Sequence, residues 1–257
     1  MRALFQDRLR AMSFRLIFGF HAVLAKLRHD PDAVKEILLD QARFARKEKR
    51  VTDILAYAEL SGIKTTPLDG RRLDAMLPEA RHQGVVARVD GARRAFHLAD
   101  VLDALDVPPL LLVLDGVTDP RNLGACLRVA DGAGAHAVIA PKDRSAGLTE
   151  TAVKAASGAA ESVPYILVTN LSRALRELRE REITVLGAAG DAPQSLYEAE
   201  FSGATAWVLG AEDHGLRRMS RENCDQLVRI PMRGAVESLN VSVAAGLCLF
   251  EARRRYP

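Results

Sequence analysis

Apolar residues gather in two series of short runs, separated by polar stretches of helical periodicity. In the first series, Val34–Leu39, Ile63–Pro67 and Gln83–Val89 read as strands. Phe18–Leu27 reads as a turn entering a helix, Thr52–Glu59 as a helix and Arg71–Leu77 as a short one. In the second series the strands are Leu110–Leu114, Ala137–Ala140, Tyr165–Val168, Thr184–Ala188, Ala206–Gly210 and Gln226–Ile230. Its helices are Leu123–Ala133, Glu150–Ala156, Ser172–Glu182, Ser220–Cys224 and Leu239–Arg255. Continuous apolar strands alternating with helices predict an α/β domain whose parallel sheet is covered on both faces. Ala99–Leu105 is helical, and Pro108-Pro109 marks the domain boundary, because proline removes backbone donors and stops helices. The expected organisation is a small α/β unit at 14–91, a linker at 92–108 and a larger domain at 109–257. Met12-Ser13 directly precedes the first apolar run, so residues 1–13 read as an extension.

The stretch from Ile230 to Asn240 departs from this regular pattern. It leaves a strand, passes a corner at Gly234 and enters Leu239–Phe250, which is apolar on nearly every side. A surface helix shows one apolar stripe, so this one must be covered on several faces. Two polar residues, Ser238 and Asn240, stand at its mouth. Both are helix-capping types. The carboxyl end of a strand is also where open α/β sheets place ligands. Both readings stand at this point.

Composition narrows the class. The chain has 257 residues, 48% hydrophobic and 27% charged, which is ordinary for a globular protein with ample core. No apolar run reaches the roughly 18 residues of a membrane span, and Met1–Arg10 lacks the apolar block of a secretory signal. Cys126, Cys224 and Cys248 lie far apart, which fits reduced cytosolic thiols better than disulfides or a zinc site. The expected location is cytoplasmic. The net charge of +3 hides an asymmetry: residues 1–107 hold 19 Lys/Arg against 15 Asp/Glu, and residues 108–257 hold 17 against 18. The excess clusters at Arg43–Arg50, Arg71-Arg72, Arg81-His82 and Arg93-Arg94. Clustered cations favour a polyanion partner, since neutralising phosphates releases counterions. His21 reads as a packing histidine, and His82 beside Gln83 as a candidate RNA contact.

The candidate chemistry is not that of a common nucleotide site. After Leu110–Leu114 comes Asp115-Gly-Val-Thr-Asp-Pro-Arg-Asn-Leu-Gly124, with neither a dinucleotide fingerprint nor a phosphate loop. Polar groups instead mark three strand exits: Asn122-x-Gly124-x-x-x-Arg128, Leu209-Gly-Ala-Glu212-Asp-His-Gly215 and the Ser238/Asn240 corner. Asn122 and Arg128 lie about 9 Å apart along a helix axis. Arg128 in so apolar a helix needs an acceptor, and Glu212 is available. A buried Arg–Glu pair without chemistry is the plainer alternative. No carboxylate pair, catalytic triad or metal-ligand set competes, so no metal is expected.

Asn122-Leu-Gly-Ala-Cys-Leu-Arg128, Leu209-Gly-Ala-Glu212-x-x-Gly215 and Ile230-Pro-Met-x-Gly-x-x-x-Ser238-Leu-Asn240-Val-Ser-Val resemble the three motifs of the SpoU/TrmH branch of the SPOUT methyltransferases. Leu114–Pro120, Pro141–Ser145, Gly158–Pro164 and His82-Gln-Gly resemble it too, and the likeness covers roughly Phe18–Arg255. Glu237 stands where a small serine is familiar, and Asp213-His214 fills a variable pair. The resemblance implies a carboxyl-terminal deep trefoil knot, a rare exception to unknotted chains. It also implies an amino-terminal L30-like RNA-binding domain and dimerisation through the knotted domain. S-adenosylmethionine would lie in the knot against Gly210, Ile230 and Leu239.

The implied reaction is methylation of the ribose 2′-oxygen of a guanosine in 23S rRNA, in the peptidyl-transferase-centre region. Naked rRNA or a large-subunit assembly intermediate would be the partner. A tRNA ribose methyltransferase and a non-catalytic ribosome-assembly factor are the alternatives. A ribose hydroxyl is a weak acid, so attack on the sulfonium methyl needs proton removal and tight alignment. The resemblance places Arg128 at that hydroxyl. Arginine is a poor base, so binding phosphate and steadying developing charge suits it better. Asn122 and Asn240 would orient ribose and loops, Glu212 would hold Asn122 or Arg128, and Ser238 would donate near the reacting oxygen.

Overall fold

A computed structural model describes residues 14–46, 48–78, 82–91, 95–201 and 203–257. The extension 1–13 and the cluster members Lys47, Arg81, Arg93 and Arg94 lie outside the described residues. The chain divides into two units, Met1–Arg94 and Ala95–Pro257.

The first unit contains β1 (Phe14–Phe18), α1 (Phe20–His29), β2 (Val34–Asp40), α2 (Gln41–Arg46), α3 (Lys49–Leu60), β3 (Lys64–Leu68), α4 (Gly70–Met76) and β4 (Val85–Asp90). Its sheet runs β1-β4-β2-β3, with β2 parallel to β3 and antiparallel to β4. Side chains alternate across a strand, and both faces are used. Ile37, Leu39, Val85, Ala87 and Val89 meet Phe20, Val23 and Leu27 of α1 and Val51 and Ile54 of α3. Leu38 and Val86 face the other way, onto Leu73 of α4. The edge strand β1 is an addition to the three strands expected, with only Ile17 of its residues buried.

The second unit begins with α5 (Leu98–Asp103), inside the stretch 92–108 read as a linker. Leu98 and Leu102 are buried against Leu111, Val113 and Leu178, so this helix is core. The Pro108-Pro109 pair leads straight into a strand, where Pro109 accepts from Thr205 N at 2.8 Å. The order continues β5 (Leu110–Asp115), α6 (Pro120–Gly132), β6 (Ala137–Pro141), α7 (Glu150–Ala156), α8 (Ala159–Ser162), β7 (Tyr165–Val168), α9 (Leu171–Glu180) and β8 (Thr184–Ala188). It closes with β9 (Gln194–Ser195), β10 (Thr205–Gly210), α10 (Arg218–Glu222), β11 (Gln226–Arg229) and α11 (Val241–Arg255).

The seven strands run β7-β6-β5-β10-β8-β11-β9, every neighbouring pair parallel. All six residues of β5 are buried. Leu110, Leu112 and Leu114 face a core shared with α6, α7 and α11, and Leu111 and Val113 face one shared with α5 and α9. The expected doubly covered parallel sheet is therefore present. The chain moves from β5 outward to β7 and later returns beside β5 as β10, so the sheet switches direction between these two strands. Open α/β sheets hold ligands at such a point, beyond the carboxyl ends of the strands.

The last helix is tied down along its length. Val241, Ala245, Cys248 and Leu249 are buried in the core beneath α6. Arg253 donates to Ala133 O at 2.8 Å and Gly134 O at 2.6 Å, which satisfies carbonyls left over where α6 ends. Arg255 donates to Ala199 O at 2.5 Å and Tyr197 O at 2.7 Å, and lies over the Phe201 ring at 4.7 Å. Arg253 and Arg255 thus anchor neighbouring segments, and as cations in the last turn they also suit the negative end of the helix dipole. Among the described residues no helix is long and apolar enough to cross a membrane.

Candidate functional site

The site lies at the carboxyl edge of the sheet, where three chain segments converge. The first follows β5. Asp119 Oδ1 accepts from Arg121 N at 2.8 Å, and Pro120 takes the first helical position, so α6 begins three residues before the expected Leu123. Asn122 is therefore on the first turn. Gly124 fulfils a packing role: a Cβ there would meet Ala152 O at 2.3 Å and the Ala155 Cβ at 2.5 Å, so glycine lets α6 sink onto α7.

The second segment leaves β10 at Gly210 and turns back at once. Gly215 N donates to Ala211 O at 2.9 Å, and Gly215 takes a φ of 62°. A Cβ on Gly210 would lie 2.0 Å from Gly215 C and 2.3 Å from Leu216 N. Glycine at 210 is therefore required by the chain's own turn, a constraint separate from the cofactor approach that the resemblance implied. The turn presents Glu212. Its base is clamped by Asp115, 1% exposed, which accepts from Arg217 N at 3.0 Å and Arg217 Nε at 2.5 Å.

The third segment is the entry to α11. Asn240, not Ser238, is the cap: its Oδ1 accepts from Ser242 N at 3.0 Å and Ser242 Oγ at 2.6 Å. That fixes the amide, leaving both Nδ2 hydrogens to donate. One goes to Asn122 Oδ1 at 2.9 Å and the other to Glu212 Oε1 at 2.6 Å. Val241 N adds a bond to Glu212 Oε1 at 3.3 Å. Asn122, Glu212 and Asn240, separated by up to 118 residues, form one network.

Arg128 does not join it. It is exposed on α6, and no ion pair to Glu212 forms among the described residues. Six residues advance a helix by about 240°, which puts Arg128 well around α6 from Asn122. The expectation of a buried Arg128–Glu212 pair is thus replaced by Glu212 holding Asn240, which in turn holds Asn122.

Beside the network is a cavity of about 430 Å³, lined by Leu209, Gly210, Ile230, Leu239 and Val241, with Glu212 and Ser238 at its polar edge. Ligand pockets commonly have about 300–1,000 Å³ and a mainly apolar lining with few polar groups. Gly210, Ile230 and Leu239 are the three residues singled out for a cofactor. Among the described residues, no backbone group from Pro231 to Leu239 bonds another part of the chain, which leaves these groups available to a ligand with polar edges. An adenosine-type ligand fits this mixture of apolar wall and main-chain polar groups.

Sequence reasoning missed two features of the cavity. Ala188-Ala189-Gly190 forms one wall from the exit of β8, an edge that the parallel order of strands would have pointed to. Arg221 and Asp191 form a two-pronged ion pair at 3.0 and 2.9 Å on its rim, and the guanidinium holds the Asp191 carboxyl below its ordinary range. Nothing in the local sequence links residues 30 apart. Cys126, beneath the network, is buried, and burial with help from Glu212 pushes its thiol up to about 12. It stays protonated and is no nucleophile.

A doubly covered parallel sheet, with an amide–carboxylate network joining the exits of β5 and β10 and a cavity beside it at the exits of β10, β8 and β11, defines an α/β ligand-binding domain. The chain belongs to the SpoU rRNA Methylase family, which matches residues 109–250. Residues 16–95 match the family described as RNA 2′-O ribose methyltransferase substrate binding. The chain is 57% identical over 241 residues to the 23S rRNA (guanosine-2′-O-)-methyltransferase RlmB of Ralstonia nicotianae, covering 94% of this chain and 96% of that one. It is 50% identical to the protein of the same name from Escherichia coli, covering 93% and 98%. A solved SpoU methyltransferase, AviRb from Streptomyces viridochromogenes in complex with AdoMet, aligns over 97% of this chain and 92% of its own. Its TM-score is 0.72 and its identity 25%.

Proposed function

We propose that this chain transfers the methyl group of S-adenosylmethionine to a ribose 2′-oxygen of a guanosine in 23S rRNA. The observation that carries this is the Asn122–Asn240–Glu212 network, built from three distant segments beside the cavity that contains Gly210, Ile230 and Leu239. Such a network holds two loops and a helix start in one geometry, as alignment of two substrates requires.

S-adenosylmethionine supplies an electrophilic methyl on sulfonium when bound. Gly210, Ile230 and Leu239 would hold it. The chain's own residues do the rest. Asn122, with its Oδ1 occupied by Asn240, keeps its NH2 group for the ribose. Glu212 sets the Asn240 amide. Ser238 lines the cavity and would donate near the reacting oxygen. Arg128, exposed and charged, would bind the target phosphate and stabilise charge developing on the oxygen. The path from β11 through Ile230–Leu239 to α11 is the segment that would pass through the trefoil knot.

The same reading makes the protein a cytoplasmic homodimer. Val243 and Phe250 of α11 are 51% and 53% exposed, with Leu247 between them on the same stripe. A second copy would cover this apolar face. The L30-like first unit, with its exposed arginines, would hold the RNA, either naked or in an assembling subunit.

Isothermal calorimetry with S-adenosylmethionine and S-adenosylhomocysteine tests the enzyme reading, and binding of neither would end it. Mapping of ribose methyls in a deletion strain tests the substrate. Loss of a methyl from tRNA with 23S rRNA unchanged would overturn the rRNA assignment.

A further inference from the structure

The first unit contains a built turn that methyl transfer does not require. His82 is 9% exposed and both ring nitrogens are engaged. Gly84 N donates to Nδ1 at 3.0 Å, and Nε2 lies 2.9 Å from Asp74 Oδ1. Since Nδ1 accepts, the ring proton is on Nε2 and is donated to Asp74. Val85 N donates to His82 O at 3.0 Å and Asp40 N to Gly84 O at 2.8 Å, which fixes the turn to both β4 and β2. His82 is therefore a positioning residue, in place of the RNA contact expected from sequence.

The residue it positions is Gln83, which is exposed and has a φ of 53°. A long side chain is rarely found in this left-handed region, where glycine would serve without strain. The Gln83 side chain makes no hydrogen bond among the described residues. A long exposed side chain held in this region by a bonded turn is a candidate for function. The surroundings carry both signs of charge: Asp40, Glu48 and Asp74 stand beside the arginines. Arg43 Nη1 bonds Glu48 at 2.8 Å while its side chain packs against Gly84, where a Cβ would lie 2.7 Å from the Arg43 Cδ. Arg71 and Arg72, both exposed, follow the end of β3. The ends of β2 and β3 and the start of β4 share one edge of the sheet.

We infer that Gln83 reads an unpaired base of the RNA, with the exposed Arg71 and Arg72 meeting flanking phosphates. A carboxamide offers a donor and an acceptor side by side, as base edges do, and unstacked bases in RNA loops expose those edges. Cations alone would suffice for an acidic peptide. An amide that offers both a donor and an acceptor beside them fits RNA. The inference rests on the reading of RNA as substrate.

The test uses the full chain, in-vitro-transcribed 23S rRNA as probe, and binding measured across a salt series. Gln83→Gly removes the amide while relieving the backbone, so its melting temperature should equal or exceed the parent's. S-adenosylmethionine affinity by calorimetry should not change. The dissociation constant for RNA should rise about tenfold at every salt concentration, with an unchanged salt slope. Arg71→Ala should instead flatten that slope by about 0.7–0.9. His82→Ala should weaken RNA binding, and adding Gln83→Gly to it should weaken it no further, whereas a merely structural histidine would give additive losses. Gln83→Gly that binds the RNA within twofold of the parent overturns this inference and leaves the proposed function standing. A parent chain that binds S-adenosylmethionine but not 23S rRNA overturns both the substrate reading and this inference.

Discussion

Replacing Gly210 by alanine is the sharpest perturbation available. The added Cβ would lie 2.0 Å from Gly215 C, 2.1 Å from Gly215 O and 2.3 Å from Leu216 N. All three are backbone atoms, so no rotamer change relieves the clash, and the 211–215 turn must move by about 1 Å or more. Overpacking of this kind costs about 1–3 kcal/mol. Moving the turn also withdraws Glu212 from Asn240 Nδ2 and Val241 N. A hydrogen bond to a charged group contributes about 1.5–3 kcal/mol. The two effects overlap, and about 3–5 kcal/mol is the expected loss. For a domain of this size about 1 kcal/mol shifts the melting temperature by roughly 2–4 °C, so a fall of roughly 10 °C is expected. S-adenosylmethionine binding should fail in the folded fraction. Gly147→Ala is the control, because a Cβ there meets nothing within 4 Å. Melting followed by circular dichroism and calorimetry at a temperature where both variants are folded would measure the two effects. A Gly210→Ala protein that melts within 2 °C of the parent and binds with parental affinity would refute the reasoning.

Arg128→Ala should abolish methyl transfer, yet leave the melting temperature and cofactor affinity unchanged, since the guanidinium is exposed and unpaired with Glu212; a folded variant with the normal rate would remove Arg128 from the active centre. Asn240→Asp keeps a good cap but sets a second carboxylate against Glu212 at 2.6 Å. Stability should fall by about 2–3 kcal/mol near pH 8 and recover as pH drops and the pair takes up a proton, so a pH-independent loss in melting experiments would count against the assigned amide orientation. Arg254 and then Arg255 hold the Glu251 carboxyl down to about 2 from about 4.5. Its stabilising contribution is complete above about pH 4.5 and is lost as pH falls towards 2. Glu251→Gln should therefore cost on the order of 1–2 kcal/mol at pH 7, after allowance for screening, and progressively less in acid denaturation series. Light scattering at micromolar concentration should give twice the 28.0 kDa chain mass, and a monomer would refute the dimer.

Much of the sheet was legible because buried parallel strands are continuous apolar runs, as Leu110–Leu114 is. Element ends were less so. The start of α6 is signalled by Asp119-Pro120, whereas the apolar periodicity begins only at Leu123. Leu98 and Leu102 looked like residues of a linker because two prolines follow, although those prolines only mark the entry of a strand. The site residues were recognisable by type and position, and Asn122, Glu212 and Asn240 do converge. Their wiring was not, since Asn240 reaches across 118 and 28 residues. Arg128 shows the limit of helical spacing: proximity along an axis says nothing about which side of the helix a residue occupies. Gly210 and Gly124 read as ligand-facing or motif glycines, and only the packed backbone reveals the atoms that exclude a side chain from each.

The double duty of Asn240 gives the site a built-in reporter. The amide protons of Val241 and Ser242 are held by the side chains of Glu212 and Asn240, because the first turn of a helix offers them no carbonyl. Their exchange with solvent deuterium would thus be governed by whether the three segments are docked, whereas exchange further along α11 follows opening of the helix itself. A residue-resolved exchange measurement at these two positions would record how often the active geometry is assembled in the resting protein, before any substrate is added.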